Sequence, residues 1–220
     1  MKIVFLTDFD GTVSQDILLT LFKRYAQPGW QESLERYRSG EIGSRQLHLE
    51  ITPGMRVSQR ELRRFLYYHC FIEPYFSKFI EFCSQANIPV AIVSDGLDIY
   101  IHQMLENAGI KNLTVFSNYA SFDGDRLRIA FPSLPENCSC GTCGNCKRAV
   151  CWKYKEEFPG HLLVYAGDGP SDVKVLGEVD LVFAKDRLAS YCRLHNIDFT
   201  EFNDFSDILS DIMRIAGSDD

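Results

Sequence analysis

Ile3-Val4-Phe5-Leu6-Thr7-Asp8-Phe9-Asp10-Gly11-Thr12-Val13 is the stretch on which the reading of the chain turns. Four apolar residues, too few for a helix, end in two carboxylates two positions apart and a glycine. Two later segments repeat the form. Residues 90–93 run into Ser94-Asp95-Gly96, and residues 162–166 run into Gly167-Asp168-Gly169-Pro170-Ser171-Asp172. Each apolar run reads as a buried strand. In an open parallel sheet, ligands collect outside the carboxyl ends of the strands. The three polar bursts are therefore expected to meet in one crevice holding at least three carboxylates, a hydroxyl and several glycines.

The segments between them alternate. After the first strand, 14–75 has helical periodicity. Ile17, Leu18, Leu21, Phe22 and Tyr25 recur at helical spacing, Pro28-Gly29 stops that helix, and further helices are expected over 30–38, 44–50 and from Ser58 to about 68. Helices over 74–86 and 97–108 then flank a strand at 89–93. A strand at 113–117 precedes a hairpin over 119–131, with Asp123-Gly124 as its turn. A helix over 147–158, a strand over 162–166, a helical turn over 171–177, a strand over 180–184 and a helical remainder complete the chain. Repeated βα units predict an α/β fold, a Rossmann-like doubly wound parallel sheet. Its core would comprise 1–13 and 76–220, with 14–75 an inserted helical unit and 132–147 a cysteine-rich loop.

Composition narrows the function. The chain has 220 residues, 45% of them apolar, and a formal net charge of −7. An acidic protein is a poor partner for nucleic acid, whose phosphates select basic surfaces. No apolar run approaches a membrane span, and the N-terminus has no export-type segment. Of eight cysteines, five (Cys138, Cys140, Cys143, Cys146 and Cys151) fall between 138 and 151. A disulfide scaffold would be shorter and more evenly spaced, so reduced thiols and a cytoplasmic setting are expected.

Two carboxylates just past a strand can divide the work of group transfer. Asp8 can act as nucleophile, and Asp10 as general acid and later as base toward water. Gly11 lets the backbone turn tightly and present N–H groups to an anion. Asp168 and Asp172 would arrive from another strand end. Crowded carboxylates repel one another, and a hard cation such as Mg²⁺ relieves that repulsion in an oxygen-only site that also binds phosphate. Ser94 can donate to a phosphate oxygen, and Lys147 or Lys153 can supply positive charge.

These motifs, in this order, resemble those of the haloacid dehalogenase-like phosphatases, and the resemblance covers nearly the whole chain. It implies that Asp8 forms an aspartyl phosphate and that Asp10 is the acid/base. It implies a Mg²⁺ site of Asp8, the main-chain carbonyl of Asp10, and Asp168, with Asp172 supporting the metal's waters, and phosphate binding by Ser94, Asp95, Gly96 and a lysine. Lys147, 21 residues before Asp168 and at an expected helix start, fits that lysine better than Lys153. The helical insert implies the subgroup with a small cap, acting on a small phosphorylated metabolite. The stretch Cys138 to Lys147 resembles both the phosphoethanolamine/phosphocholine phosphatases and the branch that dephosphorylates 2-hydroxy-3-keto-5-methylthiopentenyl-1-phosphate; Asn118 to Asp123 and Phe183-Ala184-Lys185-Asp186 also resemble the latter, which is the favoured branch. Phosphoserine and phosphoethanolamine/phosphocholine phosphatases, or phosphotransfer to an alcohol, are the alternatives. In the phosphoserine branch a cap glutamate recognises substrate, and its position here is Ile17.

Cys138, Cys140, Cys143 and Cys146 have a spacing that can bind structural Zn²⁺ through thiolates, or can simply pack as reduced thiols. The five histidines form no ligand pattern and are expected at or near the surface. Phe65, Tyr67, Tyr68, Phe71, Tyr75, Phe76, Phe79 and Phe82 are expected to be core.

Overall fold

Alternation along the first strand, β1 (Ile3–Thr7), feeds two cores at once. Ile3 and Phe5 belong to the cluster built on Phe76, Phe79 and Cys83 of one helix and Phe205, Ile208 and Ile212 of the C-terminal one; the Phe5 and Phe79 rings lie 4.7 Å apart. Val4 and Leu6 join Val150, Cys151 and Tyr154 on the opposite face. A strand covered on both sides must be apolar throughout, which is why residues 3–6 form a continuous run. Each fully buried large side chain here contributes about 1.5–3 kcal/mol.

The computed structural model describes residues 1–132 and 140–217. Among them, β1, β2 (Val90–Leu97), β3 (Thr114–Asp123), β4 (Arg126–Ala130), β5 (Leu162–Gly167), β6 (Leu181–Ala184) and β7 (Thr200–Glu201) form one sheet in the order β4-β3-β2-β1-β5-β6-β7. All pairings are parallel except the β3–β4 hairpin. The chain runs outward from β1 through β2 and β3, then returns to the other side of β1 with β5. That reversal places the crevice of the fold beside the carboxyl end of β1.

Three local expectations change. The strand at 113–117 and the first arm of the hairpin are one continuous strand, β3. The C-terminal segment is not helical throughout: β7 interrupts it between α8 (Asp186–His195) and α9 (Phe205–Ala216). The helical turn after β5 is a 3-10 turn, Pro170–Val175.

Between β1 and α5 (Pro74–Gln85) lie α1 (Ile17–Tyr25), α2 (Trp30–Arg38), α3 (Ser44–Ile51) and α4 (Gln59–His69). Asp16 caps α1 by accepting the Leu19 N–H at 2.8 Å, and Ser58 caps α4 by accepting that of Glu61 at 3.2 Å. The chain enters and leaves this insert side by side, with Ser14 bridged to Ile72 and the Glu73 N–H donating to the Val13 carbonyl at 2.8 Å. The aromatic run is only half core. Phe76 and Phe79 are fully buried, whereas Tyr67, Tyr68, Phe71 and Tyr75 are exposed. One helix face cannot take Leu62, Leu66, Tyr67 and Tyr68 together, and α4 turns Leu62 and Leu66 inward. Among the described residues, no helix is long and apolar enough to cross a membrane.

Candidate active site

Asp8 follows β1 directly, Asp168 follows β5, and β2 carries Ser94, Asp95 and Gly96 near its carboxyl end. β1 pairs with both neighbours, so the three bursts converge. Asp8, Asp10, Ser94, Asp95, Gly96 and Asp168 line one crevice, roofed by Leu18, Phe22, Leu34, Tyr37 and Leu47 from the helical insert.

At its floor, the Lys147 ammonium lies 2.9 Å from Asp8 Oδ2 and 2.6 Å from Asp172 Oδ1. Lys147 is the first residue of α7 (Lys147–Glu157) and is 2% exposed, so its charge reaches the crevice without contacting bulk water. Burial works against that charge. Asp172, Asp8 and Asp95 outweigh it and hold the ammonium well above its ordinary pKa. Asp172 is wholly buried. Its Oδ1 also accepts the Tyr165 hydroxyl at 2.5 Å, while Oδ2 accepts the N–H groups of Asp168 (3.1 Å) and Gly169 (2.9 Å). It thus shapes the loop that presents Asp168, in addition to pairing with Lys147.

Carboxylate oxygens of Asp8, Asp168 and Asp172 lie within 4.8 Å of one another. Burial, first, raises the Asp8 pKa well above the carboxylate range; Lys147 opposes this, and Asp172 and Asp168 add to it. Asp168 is raised to about 7 by burial and by Asp172, against a hydrogen bond from the Thr12 hydroxyl at 2.9 Å. Three buried carboxylates crowded this closely suit a hard divalent cation, which relieves their mutual repulsion. Gly11, at φ +79°, makes the close approach possible, because a Cβ there would stand 2.3 Å from Asp168 Oδ2.

Asp10 points away from that trio. Its Oδ1 accepts the N–H groups of Ile17 (3.0 Å) and Leu18 (3.2 Å) at the start of α1, and its Oδ2 accepts the hydroxyl of Tyr100, from α6 (Asp98–Asn107). Burial, reinforced by Asp16, lifts its pKa to about 7 despite those three donors. A carboxyl group poised near neutrality suits an acid that later becomes a base.

The second burst holds its shape locally. Ser94 Oγ accepts the Gly96 N–H at 2.9 Å. A Cβ on Gly96 would stand 1.9 Å from the Tyr100 hydroxyl oxygen and 2.4 Å from Asp10 Oδ2. Asp95 turns its carboxylate to the cysteine loop, where Oδ1 accepts the Asn145 N–H at 2.6 Å. What it can offer an anion is therefore its main chain. Lys153 is elsewhere, its ammonium 5.1 Å above the Phe116 ring.

Sequence reasoning missed the supports. Tyr100, Tyr165 and His48 are fully buried polar groups. His48, expected near the surface, lies within α3 with Nε2 2.7 Å from the Asp95 carbonyl oxygen. Asn145 donates to the Ser94 and Phe116 carbonyls at 3.0 and 2.7 Å. Its place two residues before Lys147, inside a motif already singled out, was the available signal. In the cysteine loop, Cys140, Cys143 and Cys146 bring their sulfurs within 4.8 Å of one another; Cys138 lies outside the described residues.

A curated relative from Exiguobacterium sibiricum, named 2-hydroxy-3-keto-5-methylthiopentenyl-1-phosphate phosphatase, is 30% identical over 218 residues, covering 95% of each chain. One of the same name from Bacillus velezensis is 30% identical over 212 residues, covering 95% of this chain and 89% of its own. Among solved structures, a substrate-bound phosphoserine phosphatase complex superimposes with a TM-score of 0.74 at 18% identity, covering 96% of this chain and 98% of that one, a likeness of fold. The family model for haloacid dehalogenase-like hydrolases matches residues 5–177, and the chain belongs to that family.

Proposed function

We propose that this hydrolase cleaves a small phosphomonoester in two steps. An Asp8 carboxylate oxygen attacks phosphorus, the bond to the leaving oxygen breaks, and Asp10 delivers its proton to that oxygen. Asp10 then takes a proton from water, whose oxygen attacks phosphorus and releases Asp8 and inorganic phosphate. Lys147, Ser94 and the main chain of Asp95 and Gly96 bind the phosphoryl oxygens. Asp8, Asp168 and the Asp10 carbonyl would hold Mg²⁺, with Asp172 behind them supporting its waters; when bound, the ion neutralises charge on the phosphoryl group. The observation that carries this reading is the division of labour between two neighbouring aspartates, Asp8 against Lys147 and Asp10 against Tyr100 with a pKa of about 7.

Segment 14–75 would serve as the cap over the core of 1–13 and 76–220, choosing the leaving group and excluding water from the first step. Its wall favours an apolar leaving group. Leu18, Leu19, Phe22, Leu34 and Leu47 face the crevice, and among the described residues of that wall there is no arginine or lysine to receive a carboxylate, Lys147 at the floor being already engaged by Asp8 and Asp172. This supports a 2-hydroxy-3-keto-5-methylthiopentenyl-1-phosphate, the compound named for the two relatives, over phosphoserine. A cytoplasmic enzyme acting on a soluble metabolite, with neither nucleic acid nor membrane as partner, accords with the net charge of −7. A Zn²⁺ ion in the cysteine loop would be structural, separate from this chemistry.

The test is a screen of phosphorylated metabolites with Mg²⁺, including phosphoserine, phosphoethanolamine and the methylthio ester. Release of phosphate from the methylthio ester well above the others, independent of any added alcohol and abolished in Asp8→Asn, is expected. Full turnover by Asp8→Asn would overturn the mechanism, and a preference for phosphoserine would overturn the substrate.

A further inference from the structure

The loop before Lys147 joins the insert to the core. The Thr142 carbonyl accepts the Arg45 N–H at 3.1 Å, and the Gly144 N–H donates to Ser44 Oγ at 2.8 Å, both at the start of α3. One residue on, Asn145 is tied to Ser94, Asp95 and Phe116. The segment thus touches the insert with one end and the phosphate-binding burst with the other, and its described residues, 140–146, form no helix or strand to hold that shape.

Three sulfurs stand where such a holder would sit. Cys140, Cys143 and Cys146 are separated by two residues each, and all three sulfurs lie within 4.8 Å of each other. Thiolates around tetrahedral Zn²⁺, with bonds of about 2.3 Å, stand roughly 3.8 Å apart, so small side-chain rotations bring these into range. Gly141, at φ +64°, turns the backbone between the first two. The charge fits as well. Three thiolates and a divalent ion carry one net negative charge, and the Lys174 ammonium lies 3.2 Å from Cys143 Sγ. Cys146 directly precedes α7, whose N-terminal end favours a thiolate.

We propose that Cys140, Cys143 and Cys146 bind a thiophilic divalent cation, Zn²⁺ being the fitting one, which clasps the insert to the core and fixes the approach to Lys147. Each thiol gives its proton to solvent as its sulfur takes the metal, and the fourth coordination position is left to another donor. The site itself does not depend on the phosphatase reading; only its effect on phosphate affinity does.

The experiment is a Co²⁺ titration of the full chain, stripped of metal under reducing conditions. Thiolate coordination gives an intense near-ultraviolet sulfur-to-cobalt charge-transfer band, which the all-oxygen aspartate site does not give. One such band per chain, displaced by equimolar Zn²⁺ and prevented by prior alkylation of the thiols, is expected. It should persist in Asp8→Asn and be lost or weakened in Cys140→Ser, Cys143→Ser and Cys146→Ser. Absence of the band in the unmodified chain would overturn the site without needing any variant to fold. For the clasp, the zinc-free enzyme should show several-fold weaker inhibition by inorganic phosphate and a higher KM, with kcat less affected. Unchanged phosphate inhibition would overturn that role while leaving the phosphatase assignment intact.

Discussion

The Lys147 ammonium is held 2.6 Å from Asp172 Oδ1, with both side chains sealed from solvent. Removing one partner of a buried ion pair strands the other charge, at a cost of about 3–5 kcal/mol. Lys147→Met should therefore lower the thermal midpoint sharply as well as abolish turnover. Lys147→Met combined with Asp172→Asn should recover part of the stability and none of the activity. Denaturant unfolding of the two variants beside the unmodified chain checks this.

Tyr100→Phe removes a donor that favours the charged form of Asp10. The Asp10 pKa should rise above its present value of about 7. Because Asp10 must be protonated to serve the first step, the alkaline limb of the kcat/KM profile should move to higher pH. The pH–rate profile of the variant reads this directly, and a limb displaced to lower pH would contradict the assignment of Asp10 as acid.

Metal-free protein should lose stability as pH rises. Asp10 and Asp168 have folded-state values near 7, against about 3.9 in an unfolded chain. Over that interval the folded state holds more protons than the unfolded one, so stability falls with pH from about 4 to 7. Mg²⁺ favours the ionised carboxylates, so the rise in melting temperature on adding it should be larger at pH 8 than at pH 5. Calorimetry at the two pH values, with a chelator or with Mg²⁺, tests both signs.

Gly96→Ala should be far more damaging than its single methyl group suggests. The new Cβ would meet the Tyr100 hydroxyl oxygen at 1.9 Å and Asp10 Oδ2 at 2.4 Å. Overpacking of this kind costs about 1–3 kcal/mol. Here it also separates Asp10 from Tyr100, so kcat should fall more than stability alone explains. Kinetics at a temperature where the variant remains folded distinguish the two losses.

Phe22→Arg, at the roof of the crevice, should raise KM for esters with apolar leaving groups and lower it for those carrying a carboxylate. A comparison of the methylthio ester with phosphoserine would show the crossover.

The amino-acid sequence determined the sheet and the acidic tips of its strands. Residues 3–6 and 162–166 are apolar on both faces, and a run that short and unbroken has to be a strand between two layers of helices. The residues at the carboxyl end of such a strand stand at the edge of the crevice, so Asp8, Ser94 and Asp168 were legible as neighbours. Tertiary structure alone decided what surrounds them. Tyr100, Tyr165 and His48 look in sequence like ordinary members of apolar patterns, yet each carries a buried polar atom aimed at the site from another element. Tyr67 and Tyr68 look equally apolar and lie in water. Periodicity reports which side of an element is apolar; it carries no information on which distant backbone or carboxylate will face a given hydroxyl, and that pairing exists only once the layers have packed.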